Sequence, residues 1–366
     1  MAESQEVAPA PAWDATSFRT GIERTVQDFV DLQAGWLDEL GEDARRLVEH
    51  ARVSVTGGKR FRAAFCWWGH QAVAPAADEE AQGKALLKAC ASLELLHASA
   101  LVHDDYMDAS DVRRGRPATH RAFEALHREN GWAASPTQYG ASAAILLGDL
   151  LLSWSDEMLR TCGLPAERVL DALGYFDLTR SEVVTGQFLD VSAQARGTSD
   201  VTTAMTVVRY KSAKYSIERP LHIGAALAGA DSGVIEQLTR FGLPLGEAFQ
   251  LRDDLLGVFG DPEVTGKPAG DDLSEGKRTV LVALALDGLT GSDRVLLDTS
   301  LGRSLSPEEV THLRGLIDAS GAHEQVEEVI TALTGRALEA LAAADLRDEA
   351  KTVLRELAAA ATQRVV

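Results

Sequence analysis

Cysteine is scarce in this chain. Its 366 residues include three, Cys66, Cys90 and Cys162, an odd number with no CxxC pair. That count excludes a disulfide framework and a thiolate metal centre, and it fits a reducing, cytoplasmic setting. Basic residues are also in deficit, 36 against 55 acidic ones, for a formal net charge of −19. Such a balance argues against nucleic acid as a partner and against an electrostatic grip on anionic lipid. No run approaches the ~18 apolar residues that read as a membrane span, and no basic segment followed by an apolar core marks a secretory leader. Strand alternation is missing too: Val53–Thr56 is too short, and Val201–Val208 is ambiguous. There is no repeat of a period that would suggest a solenoid. Signatures of a protein nucleophile or a zinc centre are absent as well: no GxSxG, no HExxH, and no Cys–His pair near the motifs described next.

What remains is helix from end to end, in a chain 45% hydrophobic and 25% charged. Residues 1–16, rich in Ala, Pro and acid, read as a disordered lead-in. Residues 17–366 read as one all-α domain. Apolar spacing predicts two helices broken near Gly41, one long helix over 78–108, and further helices over 137–162, 166–195, 214–229 and 233–259. The remainder, 279–362, is also helical, with one helix starting at Ser306 and a last one over 323–360.

The long helix ends in Asp104-Asp105-Tyr106-Met107-Asp108. Asp104 and Asp108, four apart, share a face and repel each other. Either this is a solvated acidic helix end, or a cation sits between them. All-oxygen ligands of this kind favour Mg²⁺ over Zn²⁺. About 150 residues later a second apolar helix ends in Asp253-Asp254. Each acidic end is followed by a basic loop, Arg113-Arg114-Gly115-Arg116 in the first case and a Gly-rich stretch with Lys267 and Lys277 in the second. Upstream, Gly57-Gly58-Lys59-Arg60-Phe61-Arg62 places two glycines and a basic cluster at a helix start. That is either an N-cap with surface cations or a phosphate cradle. His97 lies seven residues before Asp104 on nearly the same face. Gln187 and Asp190 form a polar pair inside an apolar helix, and Tyr210-Lys211-Ser212 pairs a lysine with a hydroxyl. Two acidic clusters facing one cavity could hold Mg²⁺, and the basic residues could hold two diphosphates. With no nucleophile in sight, the chemistry points to metal-assisted departure of diphosphate.

In combination, GGKxxR at Gly57–Arg62, DDxxD at Asp104–Asp108 with RRG at Arg113–Gly115, GQ at Gly186–Gln187, YKS at Tyr210–Ser212 and FQLRDD at Phe249–Asp254, followed by GKPxGDD at Gly266–Asp272 and GK at Gly276–Lys277, resemble the trans-isoprenyl diphosphate synthases, the polyprenyl synthetase family, over about residues 20–360. The resemblance implies an all-α isoprenoid synthase bundle around a central cavity and a homodimer. It implies head-to-tail condensation of isopentenyl diphosphate with an allylic diphosphate (dimethylallyl, geranyl or farnesyl) by ionisation, condensation and elimination. By resemblance, Asp104, Asp108 and Asp253 would ligate about three Mg²⁺ ions, with Asp105 and Asp254 supporting them from behind. Arg113, Lys211, Lys267 and Lys277 would hold the allylic diphosphate, while Lys59, Arg62, His97 and Arg114 would bind isopentenyl diphosphate. Gln187, Lys211, Ser212 (usually Thr in the family) and Gln250 would serve the reacting centre. One departure stands out: the second motif reads DDLLG, with Gly257 where the family has a third Asp.

Product length would be set on the long helix before Asp104, by Ser99, Ala100 and Leu96, with Ser92 on the same flank. Small residues at 99 and 100 leave room for a C20 product, geranylgeranyl diphosphate. A C25 or longer synthase, a non-catalytic synthase subunit and a class I terpene cyclase are the alternatives. The cyclases lack a GGKxxR site and carry Asn, Ser and Glu in their second metal motif.

Overall fold

The computed structural model describes residues 13–75, 80–261 and 270–363. Asp14 caps the first helix by accepting from the backbone N–H groups of Thr16 and Ser17, and α1 runs Ala15–Leu37. Trp13 already packs on Phe18 and on Trp68, at centroid distances of 5.8 and 5.7 Å. Residues 13–16, which fall in the lead-in expected from the sequence, thus join the described fold. A short 3₁₀ turn and Gly41 separate α1 from α2, Glu42–Ser54. Then come α3 (Phe61–Val73), α4 (Glu80–Met107), α5 (Thr119–Glu129), α6 (Pro136–Arg160) and α7 (Ala166–Arg196). The basic loop after α4 closes as a two-residue antiparallel ladder, Val112–Arg113 with Arg116–Pro117, the one sheet among the described residues.

By length and composition α4 is the one described helix apolar enough to cross a membrane, and 72% of that stretch is buried inside the protein. No uninterrupted apolar run of that length exists in it, since Lys88, Glu94 and His97 fall within it, and the helix is the core of the bundle: α4 packs on α1, α3 and α6. Midway along it the buried Glu94 pairs with the buried Arg60, Oε2 to Nη1 at 3.0 Å. Breaking such a pair by removing one partner costs about 3–5 kcal/mol, because the other charge is stranded.

After α7 the chain runs through α8 (Val201–Val207) straight into a π-helical segment, Val208–Glu218, and on into α9, Arg219–Leu227. The ambiguous Val201–Val208 run is helical, and the expected helix over 214–229 begins earlier and changes pitch inside. Pro220, just beyond the π segment, has no N–H with which to extend that ladder. The segment is gripped from both sides. A Cβ on Gly186 of α7 would lie 2.4 Å from the Lys211 nitrogen, and one on Gly246 would lie 2.5 Å from the Ala213 carbonyl oxygen. Gly246 belongs to α10, Ser232–Phe259.

The first half of α10 (Leu238, Phe241, Leu245, Phe249) packs into the main core with α1, α3, α4, α6, α7 and α9. Its second half (Leu251, Leu255, Val258) anchors a second core under the helices Val280–Gly288, Pro307–Ala319 and Ala322–Ala343. The single helix expected over 323–360 is two, Ala322–Ala343 and Asp348–Thr362. Between them Leu346 is buried, and Arg347 donates from its backbone N–H to the Ala72 carbonyl at 3.2 Å and from Nη1 to the Gln71 carbonyl at 3.0 Å. Docking on α3 thus breaks a run whose Ala and Leu content alone would continue it.

Candidate active site

The C-terminal ends of α4 and α10 open on one cavity of about 1490 Å³. Its wall carries Asp104, Arg113, Gln187, Lys211, Ser212, Gln250, Asp253, Asp254 and Lys277, together with Lys59, Arg62, His97 and Arg114. The separate motifs of the sequence are therefore brought together. Lys267 lies outside the described residues.

At the acidic corner Lys211 is pinned between two carboxylates, with Nζ 2.6 Å from Asp190 Oδ2 and 3.2 Å from Asp104 Oδ1. The second approach lacks hydrogen-bond geometry, so Asp104 Oδ1 is a buried acceptor without a donor. Burial alone would raise the Asp104 carboxyl, but Lys211, Lys277 and Arg113 together outweigh it and hold the group below the usual carboxylate range. Asp108 and Asp105 are not on the cavity wall. Asp108 lies beneath Lys277, whose Nζ is 3.5 Å from its Oδ2, and both of its carboxylate oxygens are buried without a hydrogen-bond donor. Burial, and then the charge of Asp104, lift its carboxyl to about 7. Arg113 is committed to Asp105, with Nε 2.8 and 3.1 Å from the two carboxylate oxygens and Nη2 closing the bidentate pair. Such a fork fixes the guanidinium in place, with Nη2 3.9 Å from Asp104 Oδ2.

Lys277 is ringed by carboxylates, 2.5 Å from Glu275 Oε2 and 3.1 Å from Asp272 Oδ1. Across the cavity Gln250 Nε2 donates to Asp254 Oδ1 at 2.7 Å. Burial, and then the charge of Asp272, raise the Asp254 carboxyl to about 8. Helix α10 stops at Phe259, so Asp261 does not return to the face of Asp253 along the helix, although it too lines the cavity.

The basic corner is built on unusual backbone. Gly57, Gly58 and Arg60 all have positive φ, at 74°, 101° and 56°. The missing side chains leave a seat for Arg114, whose Nη1 donates to the Thr56 carbonyl at 2.6 Å and the Gly57 carbonyl at 3.3 Å. A Cβ on Gly58 would lie 3.0 Å from Arg114 Nη2. Arg62 stacks over the Tyr215 ring, 4.2 Å from its centroid, and donates to Ser216 Oγ at 2.8 Å. The Tyr215 hydroxyl lies 2.8 Å from His97 Nδ1. Burial, and then Arg62 and Arg114, push the His97 imidazolium well down, so His97 is neutral here at physiological pH. Sequence reading missed Tyr215, Ser216 and Glu275 as members of the site, and it noted Asp272 only as the end of the GKPxGDD motif. It noticed Asp190 only as a polar residue in an apolar run.

Beyond the charged rim the wall turns apolar. Leu96, Ser99 and Ala100 line it from α4, facing Ile145 and Leu152 of α6 and Val183, Val184 and Phe188 of α7. Ser99 is buried and donates from Oγ to the Gly148 carbonyl at 2.7 Å, so its hydroxyl is satisfied away from the cavity. Ser92 is fully buried and bonds to the Ala89 carbonyl, and it does not reach the wall.

Such a site has one polar end for anions and metal and one apolar end for a hydrocarbon. The polyprenyl synthetase family model matches residues 44–317. The chain belongs to the polyprenyl synthetase family. It is a trans-prenyltransferase with the all-α isoprenoid synthase fold. Among relatives, a geranylfarnesyl diphosphate synthase of Aeropyrum pernix is 32% identical over 84% of this chain and 87% of its own length. A geranylgeranyl diphosphate synthase of Methanosarcina mazei is 34% identical over 68% of each. A geranylgeranyl pyrophosphate synthase from Corynebacterium glutamicum, solved with isoprenyl diphosphate and magnesium, superposes with a TM-score of 0.93 at 41% identity. That match covers 96% of this chain and 100% of that one.

Among the described residues no three His, Cys, Asp or Glu side chains are gathered closely enough to hold a metal as they stand. Asp104 and Asp108 are instead drawn toward Lys211 and Lys277. The donor chemistry nevertheless fits Mg²⁺. Buried carboxylate oxygens of Asp104 and Asp108 lack hydrogen-bond donors, and hard oxygen donors of this kind suit Mg²⁺.

Proposed function

We propose that this prenyltransferase joins isopentenyl diphosphate to an allylic diphosphate and releases geranylgeranyl diphosphate (C20). The observation that carries this reading is the cavity, with two basic or acidic corners at one end and an apolar wall at the other. In this reading Asp104, Asp108 and Asp253 hold Mg²⁺, about three ions, with Asp105 and Asp254 behind them. Bound Mg²⁺ would supply Lewis-acid stabilisation of the departing diphosphate. Arg113, Lys211, Lys277 and Lys267 grip the allylic diphosphate, and fixed cations there stabilise the charge that develops on its oxygens. Lys59, Arg62, Arg114 and His97 hold isopentenyl diphosphate, with Tyr215 orienting both His97 and Arg62. Gln187, Ser212 and Gln250 flank the reacting carbons. The allylic C–O bond breaks with its electron pair going to diphosphate. The isopentenyl double bond attacks the allylic C1, and a proton then leaves to the departing diphosphate.

Product length follows from the apolar wall. Small Ser99 and Ala100 open the first turn below the acidic corner, and Leu96 narrows the next. We also place the enzyme in the cytoplasm as a homodimer. Ile145, Leu146, Val184 and Phe188 are 45%, 60%, 62% and 69% exposed in the single chain, on adjoining helices, and three of them border the cavity. A second copy of the chain is the partner that would cover them.

Arg62→Gln tests the assignment of the basic corner. It should raise the KM for isopentenyl diphosphate at least tenfold while leaving the KM for farnesyl diphosphate within about twofold, since a charged hydrogen bond is worth about 1.5–3 kcal/mol. Equal rises in both would refute the separate subsites.

A further inference from the structure

The far end of the apolar cavity carries one charged residue. Helices α4 and α6 run antiparallel, with Ser99 bonded to the Gly148 carbonyl and Lys88 Nζ donating to the Thr161 carbonyl at 2.6 Å. That pairing sets Leu96 level with Leu152, and both line the wall. One turn further from Asp104, Ser92 of α4 and Ser155 of α6 are fully buried and off the wall. On α7 the cavity-facing stripe descends from Gln187 through Val183 and Val184 to Arg180. The next residue on that stripe, Phe176, is again fully buried and off the wall. The three helices therefore cease to line the cavity at one level, and Leu96, Leu152 and Arg180 mark it.

Arg180 is held there by its head. Nη1 lies 3.1 Å from Asp156 Oδ1 on α6, and Nη2 donates to Asp177 one turn back on α7. The guanidinium also stands over the Phe176 ring, 5.0 Å from its centroid. Asp156 is itself fixed, with Oδ2 2.5 Å from Arg160 Nε. The methylene stem of Arg180 can serve the apolar wall while its head stays with the carboxylates. A hydrocarbon that reaches past the stem meets a charge. It can neither replace the polar partners of a guanidinium nor solvate one it displaces.

We propose that Arg180 is a specificity-determining residue: its guanidinium, tied to Asp156 and Asp177, is the ionic floor at which the growing chain stops. Leu96, Ser99 and Ala100 shape the channel from α4, and Arg180 closes it from α7. The inference rests on the reading of the protein as a C20 synthase.

The test offers geranylgeranyl diphosphate as primer, with isopentenyl diphosphate and Mg²⁺, to the purified full chain and its variants, and sizes the products. Arg180→Ala should raise the share of product longer than C20 by at least about tenfold, the scale on which apolar pockets discriminate by size. Arg180→Met keeps most of the bulk without the charge and should lengthen the product too. Asp156→Asn should act in the same direction but less, because Asp177 still holds the guanidinium. Arg180→Lys keeps a cation near both carboxylates and should stay within about threefold of the parent. A merely structural Arg180 would lower the melting temperature and the total yield and leave product length unmoved, which would overturn the proposal. Lengthening in Arg180→Ala alone would make bulk, and not the anchored charge, the floor, and would overturn it as well. Should Arg180→Ala fail to fold, an Asp156→Asn enzyme that still stops with the parent refutes the floor. A parent that stops at C20 beside variants that also stop there refutes the floor while the C20 reading stands. A parent that extends geranylgeranyl diphosphate by itself refutes the C20 reading, and the floor is then judged by whether Arg180→Ala makes longer product than that parent.

Discussion

Gly186→Ala adds one methyl group where α7 touches the π segment. The new Cβ would lie 2.4 Å from the Lys211 nitrogen, 2.6 Å from the Tyr210 carbonyl carbon and 2.7 Å from Lys211 Cα. Ordinary contact begins near 3.5 Å, so the two backbones must part by about 1 Å. The neighbouring atoms are backbone, and Gly246 presses on the other side of the same segment, so no flexible side chain can absorb the change. Overpacking of this kind costs about 1–3 kcal/mol. Helix propensity acts in the opposite direction, favouring Ala over Gly by about 1 kcal/mol. Gly174, on the same helix with nothing within 4 Å of its Cβ position, isolates that term. Gly174→Ala should therefore be neutral or slightly stabilising, whereas Gly186→Ala should lower the melting temperature by a few degrees. The catalytic effect should be larger. Lys211 Nζ bridges Asp190 and Asp104 at 2.6 and 3.2 Å. A 1 Å displacement of a positioned group can cost about 10²-fold in rate. Melting curves and the rate of isopentenyl diphosphate incorporation onto farnesyl diphosphate, measured on both variants, decide the matter. A Gly186→Ala enzyme as stable and as active as Gly174→Ala would refute the account of how Lys211 is held.

Two further predictions concern protons and product. Burial and Asp104 raise the Asp108 carboxyl to about 7 in the metal-free protein, above its ordinary 3.8. Between those values the folded chain holds a proton that the unfolded chain has lost, so this contribution favours the metal-free fold at low pH and fades as pH rises through 7. Mg²⁺ must displace that proton, so its affinity should fall by up to about tenfold per pH unit below 7, with proton release visible as buffer-dependent heats in calorimetry. Affinity that is flat from pH 6 to 8 would contradict it. Ser99→Phe should shorten the product to C15, since a ring cannot fit where the Ser99 hydroxyl meets the Gly148 carbonyl at 2.7 Å and must turn into the cavity beside Leu96 and Ala100, and sizing the extracted prenyl alcohols reads the outcome. An unchanged C20 product would place the floor on α6 or α7 instead.

The charged motifs were legible in the sequence because each interrupts an apolar, helix-periodic run: Asp104 and Asp253 end two such runs, and Gln187 sits inside a third. Helical class followed from the same periodicity. What could not be read depends on contacts between distant segments. The π segment Val208–Glu218 packs closely on Gly186 and Gly246, neither of which is near it in sequence. The break at Ala344–Arg347 reflects docking on Gln71 and Ala72. Nothing in the sequence singles out Tyr215, which meets Arg62 of α3 and His97 of α4 only in the fold. The carboxyl of Asp272 likewise comes to lie beside Gly257 only in the fold.

In the proposed reaction one cavity elongates an allylic diphosphate to C20. Purified protein incubated with Mg²⁺, isopentenyl diphosphate and, in turn, dimethylallyl, geranyl and farnesyl diphosphate tests it directly when the products are sized. Elongation from each accepted primer should stop at geranylgeranyl diphosphate, with no hydrocarbon formed from an allylic primer alone. Elongation to C25 or beyond would contradict the reading of Leu96, Ser99 and Ala100, and no elongation with any primer would contradict the account as a whole.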